Sequence, residues 1–169
     1  MVKAINKNRE MQRLPVQLAE GQKIKLSPGG QNILIKKILK DLCALFTPGG
    51  NLIYVGDTHS KWAYYDAVKL AALGVIIEEH GKMPDVVVHY IEKNWLVLIE
   101  AVTSHRPVNP KRRQELKKLF AGSSAGLVFV TAFMDRHAML KYLNDISWET
   151  EVWIADTKSP SKVNSSMGL

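Results

Sequence analysis

The chain of 169 residues carries 46% hydrophobic and 23% charged residues, which suits one globular domain with a sizeable core and excludes a mainly disordered chain. A single cysteine, Cys43, excludes an internal disulfide and a cysteine-rich zinc site, and fits a reducing cytoplasm. The formal charge of +7 and pI of about 9.5 favour a polyanionic partner, phosphate backbones above all.

No apolar run approaches the ~18–20 residues that span a bilayer, so no membrane partner is expected. Lys3, Lys7, Arg9 and Arg13 are not followed by the apolar stretch of a secretory signal. Residues 1–26 read as a loose basic arm, with six Lys/Arg against two Glu up to Lys25. Ser27-Pro28-Gly29-Gly30 is a turn and helix entry. From Asn32 to Phe46, apolar residues at Ile33, Leu34, Ile38, Leu42, Leu45 and Phe46 follow helical spacing.

A short strand is expected at Leu52–Val55, closed by Gly56-Asp57-Thr58, where Asp57 or Thr58 would cap the next helix. That helix is expected at Trp62–Leu73 and stops at Gly74, before a strand at Val75–Ile77. Asp85–Tyr90 and Trp95–Thr103 read as two strands of an antiparallel hairpin. Asn109-Pro110 opens a basic helix, Lys111–Phe120. A strand at Leu127–Thr131, a helix near Arg136–Leu143 and a strand at Glu151–Ala155 follow, and the Ser/Lys/Pro-rich residues 157–169 read as a disordered tail. The order predicts an α/β domain: a mixed central sheet flanked by helices. Trp62, Trp95, Trp148 and Trp153 are expected in its core.

Two acids stand out. Asp85 opens a strand directly after Pro84, and Glu100 ends the otherwise apolar Trp95–Ile99 run. A carboxylate at the end of a buried strand needs a partner. A hard divalent cation such as Mg²⁺, which takes oxygen ligands, is one such partner. A hairpin would bring the two acids to the same end of neighbouring strands. That is the arrangement of a metal-dependent phosphodiesterase of the Pro-Asp…Asp/Glu-x-Lys type, but Val102 stands where the lysine is expected. The competing reading leaves Asp85 capping a turn and Glu100 facing solvent.

A series of ordered motifs sharpens this. Ser27-Pro28-Gly29-Gly30-Gln31-Asn32, Tyr54-Val55-Gly56-Asp57-Thr58, Lys61-Trp62 and Lys82-Met83-Pro84-Asp85-Val86-Val87-Val88 come first. Asn94-Trp95-Leu96, Ile99-Glu100-Ala101-Val102-Thr103-Ser104-His105, Phe129–Phe133 and Trp148–Trp153 follow. Together they closely resemble the BsuBI/PstI family of type II restriction endonucleases over about Ser27 to Ala155.

The resemblance implies a restriction-endonuclease-like catalytic domain over residues 27–156. It also implies Mg²⁺-dependent hydrolysis of double-stranded DNA at a short palindromic site of the CTGCAG type. By position, Asp85 and Glu100 would hold Mg²⁺. Val102 matches the family's own Glu-Ala-Val-Thr-Ser form, so another lysine would serve the phosphate: Lys82 first, Lys61 second. A palindromic site suggests a homodimer, and a cognate DNA methyltransferase is the expected companion.

The sequence departs from the family at Arg106, where a glycine is usual. The family's enzymes are roughly twice as long, with a further DNA-binding region before this domain. The chain therefore resembles a catalytic domain alone, and a non-catalytic DNA-binding or partner-binding remnant is the alternative. Arg106, Lys111, Arg112 and Arg113 are the expected phosphate contacts, set against the plainer reading of a solvated helix face. Gln31 and Asn32 are candidate base readers. Ser104-His105 is a poor nucleophile and base, because neighbours on a strand face opposite ways. Tyr54–Asp57 suggests a nucleotide-binding or methyltransferase domain, but the chain has no glycine-rich phosphate loop to support it.

Overall fold

The computed structural model describes residues 14–17, 23–78, 82–103, 109–146 and 149–156. The sequence expectations for Ser104, His105, Arg106, Trp148 and the tail fall outside these residues.

The expected loose arm contains a strand pair. β1 (Leu14–Gln17) runs antiparallel to β2 (Lys23–Leu26). The Lys-Ile-Lys-Leu alternation of β2 buries Ile24 and Leu26 and exposes the two lysines, as period-two patterning requires. α1 (Gly30–Lys37) continues through a π-helical segment (Ile38–Leu42) into α2 (Cys43–Phe46), and Leu34, Ile35, Ile38 and Leu42 form its buried stripe.

β3 (Asn51–Val55) pairs with a two-residue edge strand, β4 (Tyr64–Tyr65), where a helix is expected from the sequence. The helix α3 (Ala67–Ala72) starts later, because the Asp66 carboxylate accepts from the Lys69 amide as N-cap. Asp57 therefore does not cap it. The strand expected at Val75–Ile77 is absent from the described residues: Val75 and Ile77 are buried and Ile76 is exposed, a strand-like alternation with no strand beside it.

β5 (Val86–Tyr90) and β6 (Trp95–Val102) form the expected antiparallel hairpin, with Val86 opposite Ile99. Asn94 adopts φ 51° in its turn, a conformation that asparagine tolerates. α4 (Pro110–Leu119) crosses to β7 (Gly126–Phe133), which runs parallel to β6. α5 (Arg136–Lys141) leads to β8 (Thr150–Ile154), parallel to β7. The sheet order is β4-β3-β5-β6-β7-β8.

Both faces of this mixed sheet are covered. Val86, Val88, Val97, Ile99 and Val130 pack with the α1 stripe on one face. Val87, Leu96, Leu98 and Phe129 pack with Leu70, Leu116 and Phe120 on the other. Burial on both sides explains the nearly unbroken apolar runs of the central strands. Trp153 is buried as expected, whereas Trp95 is 39% exposed at the sheet edge of its turn.

Candidate active site

The hairpin register decides the site. Val86 faces Ile99 across β5 and β6, so Asp85 and Glu100, the next residues outward, stand side by side at one end of the sheet. Their carboxyl groups share a hydrogen bond. Asp85 is further held by Gln31, whose Nε2 donates to Oδ1 at 2.9 Å, and by the Ala101 amide, which donates to Oδ2 at 2.7 Å. Burial pushes the Asp85 carboxyl above the usual carboxylate range, against these hydrogen bonds and the Arg112 charge. Burial and the Asp85 charge push Glu100 up to about 8, even with Arg112 opposing. Two adjacent acids, each pushed toward its neutral form by burial, suit a cation that would favour both charged forms.

The cation in contact is Arg112 of α4. Its Nε and Nη2 donate to Glu100 Oε1 at 2.8 and 2.6 Å, and Nη2 reaches the Met83 carbonyl at 3.3 Å. Arg112 is thus turned toward the two acids rather than out to solvent. Arg113 is also turned inward. It pairs with Glu149 and lays its guanidinium over the Phe129 ring, 4.9 Å from the centroid. Lys111 is exposed, as a phosphate contact requires. The helical spacing from Arg112 to buried Leu116 and on to Phe120 placed Arg112 on the inward stripe, a signal present in the sequence.

On the near side of Asp85 lies a cleft of about 200 Å³ lined by Gln31, Tyr54, Thr58, Lys61 and Pro84, among others. Lys61 belongs to this lining and lies over the Trp62 ring. Lys82 is exposed and is not part of the lining. In the cleft wall, Asp57 is a structural node. It accepts from the Ser27 amide and hydroxyl at 2.8 and 2.6 Å and from Asn32 Nδ2 at 2.9 Å. Burial works to raise its carboxyl, but the Ser27, Ser60 and His59 hydrogen bonds outweigh it and hold the group below the usual range. This node fixes the start of α1 and so the position of Gln31. Asn32 is fully buried and its Nδ2 is spent on Ser27, Asp57 and Thr58, which removes it from base reading.

The donor set suits a hard divalent cation: two acids with oxygen donors only, close together and short of charge compensation. Among the described residues no third His, Cys, Asp or Glu joins them. Any further ligands would be water or substrate oxygens, as Mg²⁺ accepts.

A mixed sheet flanked by helices, with paired acids at one end of its central hairpin, defines a restriction-endonuclease-like fold. The solved structure of SdaI restriction endonuclease shares it, with a TM-score of 0.85 and 39% identity over 99% of this chain and 53% of that one. The family model of the BsuBI/PstI restriction endonuclease domain matches residues 14–163. The type II restriction enzyme BsuBI of Bacillus subtilis is 54% identical over 94% of this chain and 50% of its own length. The type II restriction enzyme AplI of Arthrospira platensis is 31% identical over 88% of this chain and 48% of its own. The chain belongs to the BsuBI/PstI restriction endonuclease family, and it spans about half the length of these relatives.

Proposed function

We propose that this chain is the catalytic domain of a type II restriction endonuclease that hydrolyses both strands of DNA at a short palindromic site, of the CTGCAG type by family resemblance, with Mg²⁺. The observation that carries the reading is the placing of Asp85 and Glu100 side by side at the end of the β5–β6 hairpin, with Asp85 lining a polar cleft. Asp85 and Glu100 would hold the cation. When bound, Mg²⁺ polarises the scissile phosphate and makes a water molecule a better nucleophile.

The chain's own residues orient the reaction around that ion. Gln31 and the Ala101 amide fix the Asp85 carboxylate, so its oxygens need no rearrangement when substrate arrives. Lys61, which lines the cleft beside Asp85 where Lys82 does not, steadies the phosphate. Lys111 and Arg106 contact the DNA backbone outside the cleavage point, where positive charge sets affinity rather than sequence. Two copies act on a palindromic site, one per strand. The setting is the cytoplasm, with a DNA methyltransferase of matching specificity protecting the host site.

The test is cleavage of plasmid DNA and of a CTGCAG duplex, with Mg²⁺ and with EDTA. Discrete Mg²⁺-dependent fragments are expected. Asp85→Ala and Glu100→Ala should each abolish cutting by at least ~10³-fold, as removal of a metal ligand does, while gel-shift affinity is kept. Normal cutting by either variant would sink the site assignment. Binding without products from the parent chain would favour a non-catalytic DNA-binding domain.

A further inference from the structure

We propose that Arg112 supplies the fixed positive charge of the active site in place of the absent strand lysine, acting through Glu100 as a positioning residue. The inference rests on the nuclease reading above. Position 102, two residues beyond Glu100, shares a face of β6 with it and is where the lysine of an acid-x-lysine strand would stand. Val102 there is buried at 1% exposure and brings no charge to the two acids. The same sheet face is covered by α4, through Leu116 packed with Leu96 and Leu98. Four residues before Leu116, one helical turn, Arg112 delivers its guanidinium to Glu100 from above.

Three of the five N–H donors of Arg112 are committed to the protein. Nε and Nη2 both end on Oε1 of Glu100, Nη2 also reaches the Met83 carbonyl, and Nη1 stands 3.7 Å from Glu115. A guanidinium held through these donors keeps its place beside Glu100. It fixes one oxygen of Glu100 and ties β6 to the segment leading into Asp85, two residues beyond Met83. With both acids ionised it leaves the pair a single net negative charge. An incoming phosphodiester is repelled less, and the charge that builds on the phosphorus oxygens during attack meets a more positive field.

This role has a signature that mere structural support lacks. Arg112 and a divalent ion are both cations beside Glu100, so neutralising Arg112 removes repulsion on the ion while it removes stabilisation of the transition state. In Arg112→Gln, kcat for cleavage by the full chain should fall ~10–100-fold, as loss of a group that orients a metal ligand does, with KM for DNA little changed. Mn²⁺ affinity, read by electron paramagnetic resonance without DNA, should be equal or tighter. Arg112→Lys keeps the charge but loses the fork that spans Glu100 and the Met83 carbonyl, so its kcat should lie between those of Arg112→Gln and the parent.

Unchanged kcat in Arg112→Gln would overturn the proposal. So would Mn²⁺ affinity falling in step with kcat, which would mark Arg112 as a support for the metal ligands alone. If the glutamine variant does not fold, Arg112→Lys decides: loss of kcat as complete as in Glu100→Ala overturns a charge role. A parent chain that binds Mn²⁺ but cuts no DNA counts against the nuclease reading alone. The Mn²⁺ comparison of the variants then still supports or overturns the charge balance proposed at Glu100.

Discussion

Glu100 illustrates how one buried acid can weaken a fold. Its carboxyl is pushed up to about 8 by burial and by Asp85, so the folded chain keeps a proton that the unfolded chain releases near the ordinary glutamate value. By linkage, its contribution turns against folding as pH rises through the ordinary glutamate range and keeps growing up to about 8. Glu100→Gln should therefore flatten that part of the stability–pH profile. Its melting temperature should match or exceed the parent by ~2–4 °C at pH 8, and the advantage should vanish near pH 4. Thermal melts by circular dichroism across pH 4–8 check this, and an unchanged slope would refute the raised carboxyl. The identity of the two acids was legible from Pro84-Asp85 and from a lone Glu at the end of an apolar run. Their contact was legible only once the two runs were read as a hairpin. Arg112 was seen as a cation, but its direction was not read, although the spacing to Leu116 carried it.

At the scale of elements, α4 does two things at once. Leu116, fully buried, anchors it to the sheet, and Arg112 reaches the acids. Leu116→Ala should cost about 2–5 kcal/mol in denaturant unfolding, as large-to-small core changes do. It should also lower cleavage, because the guanidinium moves with its helix. A second close approach locks the α3 end to the turn after α4. Gly74 sits at φ 93°, and a Cβ there would overlap the Gly122 carbonyl oxygen, whereas a Cβ on Gly30 would meet open space. Gly74→Ala should thus destabilise the fold markedly while Gly30→Ala is close to neutral, a contrast that paired melting curves expose. The elements misread from sequence were marginal ones. Tyr64–Tyr65 became an edge strand because β3 offered a free edge, and Val75–Ile77 found no strand to pair with. In both, pairing decided the outcome, and no local pattern reports pairing.

For the whole molecule, the charge of +7 is the property most directly exposed to salt. Affinity for any duplex should fall linearly on a log–log plot of binding constant against salt, with slope near −0.9 per phosphate neutralised. Lys111→Glu should weaken binding to all sequences about equally and reduce that slope by roughly 1. A slope that stays unchanged would remove Lys111 from the DNA interface. Sedimentation velocity with and without a palindromic duplex tests the proposed pairing of copies: a 2:1 complex is expected.

The sequence by itself determined the fold class, the long central strands and the β5–β6 hairpin, which follow from local periodicity and turn chemistry, whereas the two acids stood out as a candidate site through the family resemblance. The three-dimensional arrangement alone decided the rest: Asp57 as the clamp of α1, Gln31 on Asp85, Lys61 rather than Lys82 at the cleft, and Arg112 on Glu100. Each joins side chains from separate elements, between 12 and 54 positions apart where a hydrogen bond links them. Such contacts are set by how helices settle on a sheet, so the chemistry of the site is written in packing rather than in any one stretch of chain.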